Sequence, residues 1–135
     1  DLPLILMSHA GPSGLGSEPT SICGKDWKEP PCDWGDRDLA VAISEIQKKR
    51  KIDIVIFGHM HNRLKRNQGL RKMFKIDKEG TAYLNSAVVP RYKKNSKGEL
   101  FVNFSWVEFL ENKLSHISQR WYSESGELCE EEILM

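Results

Sequence analysis

Ile52-Asp53-Ile54-Val55-Ile56-Phe57 is a run of β-branched and aromatic residues that stops abruptly at Gly58-His59-Met60-His61. So short an apolar run, rich in side chains that suit a pleated surface, predicts a buried strand. The strand delivers two imidazoles to its C-terminal edge. In extended backbone, residues i and i+2 project to the same side, so His59 and His61 are expected to face one volume just beyond the strand. Gly58 removes a side chain at the bend and is expected to let other groups or an ion approach the backbone. Neutral imidazole is the commonest nitrogen ligand for divalent metals, which makes a metal site the functional expectation. The alternative is a surface turn with two incidental histidines.

The same architecture occurs once before. Leu4 to Met7 form a compact apolar run, read as a second buried strand, that ends at Ser8-His9-Ala10-Gly11-Pro12. Residues 10 to 35 hold many glycines and prolines and no sustained period, and read as a long loop, a length that tends to be functional or disordered. Gly11-Pro12-Ser13-Gly14-Leu15-Gly16 does not match G-x-G-x-x-G and no G-K-[ST] follows, which excludes a nucleotide cradle of that type. Trp27 and Trp34 are expected to pin this loop to the body, walling a pocket being the alternative. From about Gly35, Leu39, Ala42, Ile43 and Ile46 form one apolar helical stripe, with Asp33 or Asp36 as cap. Lys48, Lys49, Arg50 and Lys51 lie at the negative end of the helix dipole, which explains the basic run without invoking nucleic acid.

Strand, loop, helix and strand make a βαβ unit, which implies parallel strands and a shared C-terminal rim. His9, His59 and His61 can converge there across fifty residues of chain. Asn62 to Asn67 is a polar and basic loop: Lys65 and Arg66 read as solvated, and Arg63 is open between solvent and an anionic ligand. Beyond it the period changes to two. Met73 to Ile76, Ala82 to Asn85, Leu100 to Val107 and Leu114 to Tyr122 read as strands of an antiparallel meander separated by turn residues. Asn85-Ser86-Ala87 is placed near the same rim. His116 reads as an ordinary strand histidine without a partner, and residues 127 to 135 as an acidic, frayed tail. The fold class is α/β, a βαβ unit followed by antiparallel strands.

A chain of 135 residues fits one small domain, and its net charge of +1 gives no field that would draw nucleic acid or membrane. No apolar run approaches the roughly 20 residues of a membrane span. Cys23, Cys32 and Cys129 are odd in number and lack C-x-x-C spacing, so reduced intracellular thiols are expected in place of a disulfide framework or a thiolate zinc knuckle.

Among metal chemistries built on H-x-H, the metallo-β-lactamase pattern would need an Asp where Arg63 stands, and an amidohydrolase barrel needs a longer chain. Gly58-His59-Met60-His61 together with Ser8-His9-Ala10-Gly11 resembles the G-H-x-H motif and preceding histidine motif of calcineurin-like metallophosphoesterases. Ser8 to Gly16, Asp33 to Leu39 and Val88-Val89-Pro90-Arg91-Tyr92 resemble the branch found in cyanobacteria and plants. The resemblance covers nearly the whole chain. It implies half of an αββα sandwich and a pair of divalent metal ions, Mn, Fe or Zn, with His9 and His59 on one ion and His61 on the other. It also implies hydrolysis of a phosphate-ester substrate and an intracellular, soluble protein of the cytoplasm or plastid.

The family takes its other ligands from an Asp-x-His, a Gly-Asp and a Gly-Asn-His motif, none of which occurs here; Asp36 belongs to the helix start and follows His9. Residues 1–135 are therefore expected to be the C-terminal part of the domain, completing its site only within a longer parent protein, and inactive or nearly so alone. The competing expectation is a non-catalytic metal-binding or interaction module that associates through exposed sheet edges.

Overall fold

The structure, a computed structural model, describes residues 1–66 and 69–135. Asn67, part of the polar loop read from the sequence, lies outside the described residues. Residues 2–135 fall into two compact units, Leu2–Ala87 and Val88–Met135.

The first unit carries β1 (Ile5–Met7), α1 (Arg37–Gln47), β2 (Ile54–Phe57), β3 (Phe74–Ile76) and β4 (Ala82–Asn85). Its sheet runs β1-β2-β4-β3. β1 pairs parallel to β2 and β2 parallel to β4, while β3 closes the edge antiparallel to β4. The expected parallel β1–β2 pair is present. β3 and β4 belong to this mixed sheet instead of opening a separate meander, because the apolar run of β4 is buried at all four positions and needs neighbours on both sides.

Register puts Leu6, Val55 and Tyr83 on one face. That face packs with Ile43 and Ile46 of α1 and with Leu15, Ile22 and Cys23 of the long loop. Asp36 caps α1 by accepting from the Leu39 amide at 2.9 Å, whereas Asp33 accepts from the amides of Gly14 and Gly35. Ala42, expected on the apolar stripe, is exposed; Ile43 is the buried residue, and Leu39 and Ile46 flank it. β2 is a buried strand as expected, but β1 is not. It is the sheet edge, and Ile5 and Met7 are 45% and 79% exposed.

The 10–35 segment is an ordered loop that adds to the core. Isolated bridges join Pro12 to Asp36 and Gly24 to Asp33. A Cβ at Gly11 would lie 2.5 Å from the Phe57 ring, and one at Gly24 would lie 1.8 Å from the Glu18 carbonyl oxygen, so the loop lies this close to the sheet and to itself only with glycine there.

The second unit is an antiparallel sheet of β5 (Tyr92–Lys94), β6 (Leu100–Leu110), β7 (Lys113–Ser123) and β8 (Leu128–Ile133), in that order. β6 and β7 run longer than their apolar cores suggest and join through Glu111 and Asn112, whose φ values of 48° and 62° suit a two-residue hairpin turn. β5 is too short and too charged to show a period. The acidic tail is not frayed: β8 pairs with β7, Glu130 meets Lys93 at 2.7 Å, and Glu131 bonds Arg120. The acidic composition that reads as solvated tail is matched by basic residues on other strands.

No helix among the described residues is long and apolar enough to cross a membrane.

Candidate functional site

β1, β2 and β4 run parallel, so their C-terminal ends meet at one rim. The Ser8 amide donates to Ile56, the Gly58 amide to the His9 carbonyl, and the Ser86 amide to Phe57, which stitches the three strand ends together just past their last paired residues. His9 leaves the end of β1 and His59 the end of β2, and their imidazole centroids lie 4.8 Å apart with the ring planes tilted by 57°. All three predicted histidines are exposed.

The H-x-H segment is not extended, as strand periodicity would have it. The Met60 amide donates to the Gly58 carbonyl at 2.8 Å, an i to i+2 closure, and His59 sits at φ 68° in the left-handed region. The turn directs His59 toward His9 while the backbone carries His61 onward. Gly58, expected to matter by leaving room, is not crowded: an added Cβ would meet the nearest atoms at 3.8 and 3.9 Å, which is ordinary contact. The special backbone position is one residue later. Bulky residues at positive φ are uncommon and concentrate where surrounding structure imposes them.

What imposes it is a polar scaffold under the turn. Asn85, fully buried at the end of β4, donates from Nδ2 to the Met60 carbonyl at 2.7 Å and accepts the Ala87 amide at Oδ1. Arg71 donates from Nε to the His61 carbonyl at 3.1 Å and from Nη1 to the Ser21 and Gly24 carbonyls at 2.8 and 2.7 Å. Its Nη2 meets Asp26 at 3.1 Å. The second carboxylate oxygen of Asp26 accepts from the amides of Lys65 and Arg66. Burial pulls the Arg71 guanidinium below its ordinary pKa and Asp26 opposes that shift. Neither Arg71 nor Asp26 is legible as a site residue in the sequence, since each is one charge among others in a loop until the fold brings them together.

A cavity of about 360 Å³ opens beside this scaffold, with His59 and His61 on its wall. Trp27 and Trp34 also line it. They do not serve mainly as pins, because they remain 38% and 53% exposed and pack on each other edge to face, centroids 5.4 Å apart. Arg63 and Lys65 line the cavity too, and both side chains stay exposed, as expected for Lys65. Arg66 meets Glu29 at 3.7 Å, with both side chains more than half exposed. Asp36 is taken up as the helix cap. His116 does have a neighbour, Glu131, 3.5 Å away, because the tail forms a strand.

Imidazoles this close suit one shared ion at ligand distances of about 2.0–2.1 Å, so His9 and His59 fit a divalent metal as part of a ligand set. They do not complete one: among the described residues no group of three or more His, Cys, Asp or Glu side chains is placed to hold a metal. The cavity carboxylate, Asp26, is engaged by Arg71. Imidazoles, two basic side chains and an aromatic wall together suit an anion attached to a flat apolar group. No family model matches the chain, and neither a curated protein nor a solved structure matches it.

Proposed function

We propose that this chain contributes His9, His59 and His61 to a metal-dependent phosphoesterase site, completed in the parent protein by ligands from outside these residues. The observation that carries the reading is the pairing of His9 with His59 across the C-terminal rim of a parallel sheet, with His59 also on the wall of a cavity that Arg63 and Lys65 line. The calcineurin-like resemblance of the two histidine motifs points the same way. Divalent ions, Mn, Fe or Zn, would supply an acidified water and charge neutralisation at the phosphoryl group. His9 and His59 hold one ion and His61 the other. Arg63 and Lys65 draw the phosphate-ester anion into the cavity, and the Arg71–Asp26 brace keeps the histidine segment in register with the loop. A location in the cytoplasm or plastid belongs to the same reading.

The donor set also favours a second reading. The carboxylate among the described residues lining the cavity, Asp26, is committed to Arg71, and three imidazoles alone offset little of the charge of two ions, as in a non-catalytic metal-binding or interaction module. The exposed edge strand β1 is where such a module would associate with another strand.

Titration calorimetry with Zn²⁺ and Mn²⁺, beside turnover of p-nitrophenyl phosphate, tests both. The phosphoesterase reading expects weak binding by the 135-residue chain that His9→Ala and His59→Ala each weaken at least tenfold, with turnover only in the parent protein. No metal binding, or unaltered binding in both variants, would overturn it. A parent protein that binds metal but hydrolyses no phosphate ester would favour the module.

A further inference from the structure

The cavity has two chemically different walls. His59, His61, Arg63 and Lys65 supply the imidazoles and cations, while Trp27 and Trp34 supply apolar surface. The tryptophan planes stand at 87°, the edge of one ring against the face of the other, so the pair makes an apolar corner of two nearly perpendicular rings. Both rings come from the one long loop, and both are left substantially exposed, 38% and 53%, in a chain whose long loop buries Leu15, Ile22 and Cys23 almost completely. The loop has apolar residues enough to anchor itself without them. Lys25 approaches the Trp34 ring at 5.6 Å and adds positive charge at the edge of the corner.

The loop is also held in place. Asp33 accepts from Gly35, next to Trp34, and Asp26, next to Trp27, is locked on Arg71, which in turn holds the His61 carbonyl. The Trp27 side of the corner and the histidine segment are thus braced by a single buried guanidinium, and the Trp34 side by Asp33. A volume of about 360 Å³ lies at the small end of ligand cavities, which run from roughly 300 to 1,000 Å³, and admits one ring and one phosphoryl group more readily than a polymer.

We propose that Trp27 and Trp34 form a ring-binding subsite, so that the cavity selects small phosphate monoesters carrying a planar ring, aryl or nucleobase, over aliphatic ones. The proposal rests on the phosphoester reading of the same site and names its substrate class. The phosphoryl group lies toward His59, His61, Arg63 and Lys65, and the ring lies in the tryptophan corner. Stacking on an aromatic side chain tolerates any flat π-face, so the corner selects for a ring and not for one particular base.

The test is binding to the intact chain in the presence of Mn²⁺, followed by tryptophan fluorescence and calorimetry, with phenyl phosphate, glycerol 3-phosphate and inorganic phosphate as probes. Phenyl phosphate is expected to bind about tenfold more tightly than glycerol 3-phosphate, the scale of one aromatic stack. Trp34→Ala is expected to bring that ratio near one, and Trp34→Phe to restore most of it; Trp34 is half exposed, and a thermal melt of each variant checks that the fold survives. Equal affinity for the two esters in the unaltered chain would overturn the ring subsite and leave the phosphoester reading standing. Absence of binding by all three phosphates would overturn the ring subsite, while the phosphoester reading stands or falls on metal binding and on turnover by the parent protein. A ring preference that persists undiminished in Trp27→Ala and Trp34→Ala would place the ring elsewhere and overturn the proposal.

Discussion

Arg71 and Asp26 meet at 3.1 Å with both side chains 2% exposed, and through them the long loop and the histidine segment become one structure. Arg71 also reaches the carbonyls of His61, Ser21 and Gly24. Such a pair costs much to desolvate and gains its worth from complete hydrogen bonding.

Removing one partner leaves the other buried and uncompensated. Arg71→Met is expected to destabilise the Leu2–Ala87 unit by about 3–5 kcal/mol. Asp26→Leu combined with Arg71→Met should recover a good part of that loss, since the cost lies mainly in the orphaned charge. Urea unfolding of the single and double variants measures it; strictly additive losses would show that the two groups are not coupled.

At His59 the left-handed backbone makes a separate stability prediction. A side chain with a Cβ costs roughly 1–2 kcal/mol in this region relative to glycine, so His59→Gly should be at least as stable as the unaltered chain and His59→Ala about 1 kcal/mol less stable than His59→Gly. Both variants should weaken Zn²⁺ binding alike, because both lose the imidazole paired with His9. Equal stability of the two variants would mean that the turn relaxes once the ring is gone.

Cys23 makes stability depend on alkaline pH. Burial first, and then the negative charge of Asp33, push its thiol from 9.0 up to about 12, with Arg71 and the Gly11 backbone opposing. The folded state therefore holds the proton more tightly than the unfolded chain does. Its contribution is complete below pH 9 and disappears as pH rises from 9 to about 12. Melting temperature should fall across that window, and Cys23→Ala should flatten the slope even if it lowers stability at neutral pH. Tyr83, raised by burial and by its bond to Asp77, leaves a residual slope of the same sign.

The C-terminal strand should be visible to hydrogen exchange. The Leu134 amide donates to the Ile117 carbonyl at 2.8 Å, and the Ile117 amide to Met135 at 3.0 Å. Exchange at Leu134 is expected to be about tenfold or more slower than its unprotected rate. Exchange at the unprotected rate would return these residues to the frayed tail that their composition suggests.

Local pattern along the chain was enough for the elements that have a period and for the strand ends that carry His9 and His59. Ile54 to Phe57 read as a buried strand and is one, Leu39, Ile43 and Ile46 of the expected stripe share a helix face while Ala42 does not, and a helix between two strands made them parallel, so His9 and His59 arrived at one rim. These are local regularities, readable because side-chain direction repeats every 2 or 3.6 residues. Features without a period came from contacts between residues distant in the chain. Asp26 and Arg71 stand 45 residues apart, and only their shared burial makes them a pair. His59 turns left-handed where Asn85 and Arg71 hold the carbonyls of the two residues that follow it, Met60 and His61, a constraint supplied from β4 and from a loop ten residues further along the chain. Trp27 and Trp34 became a cavity wall because Leu15, Ile22 and Cys23 had already anchored their loop. The acidic tail became β8 because β7 had an unpaired edge and basic side chains to meet it. In each case the deciding energy is desolvation or pairing with a residue distant in the chain, a quantity that local pattern does not contain.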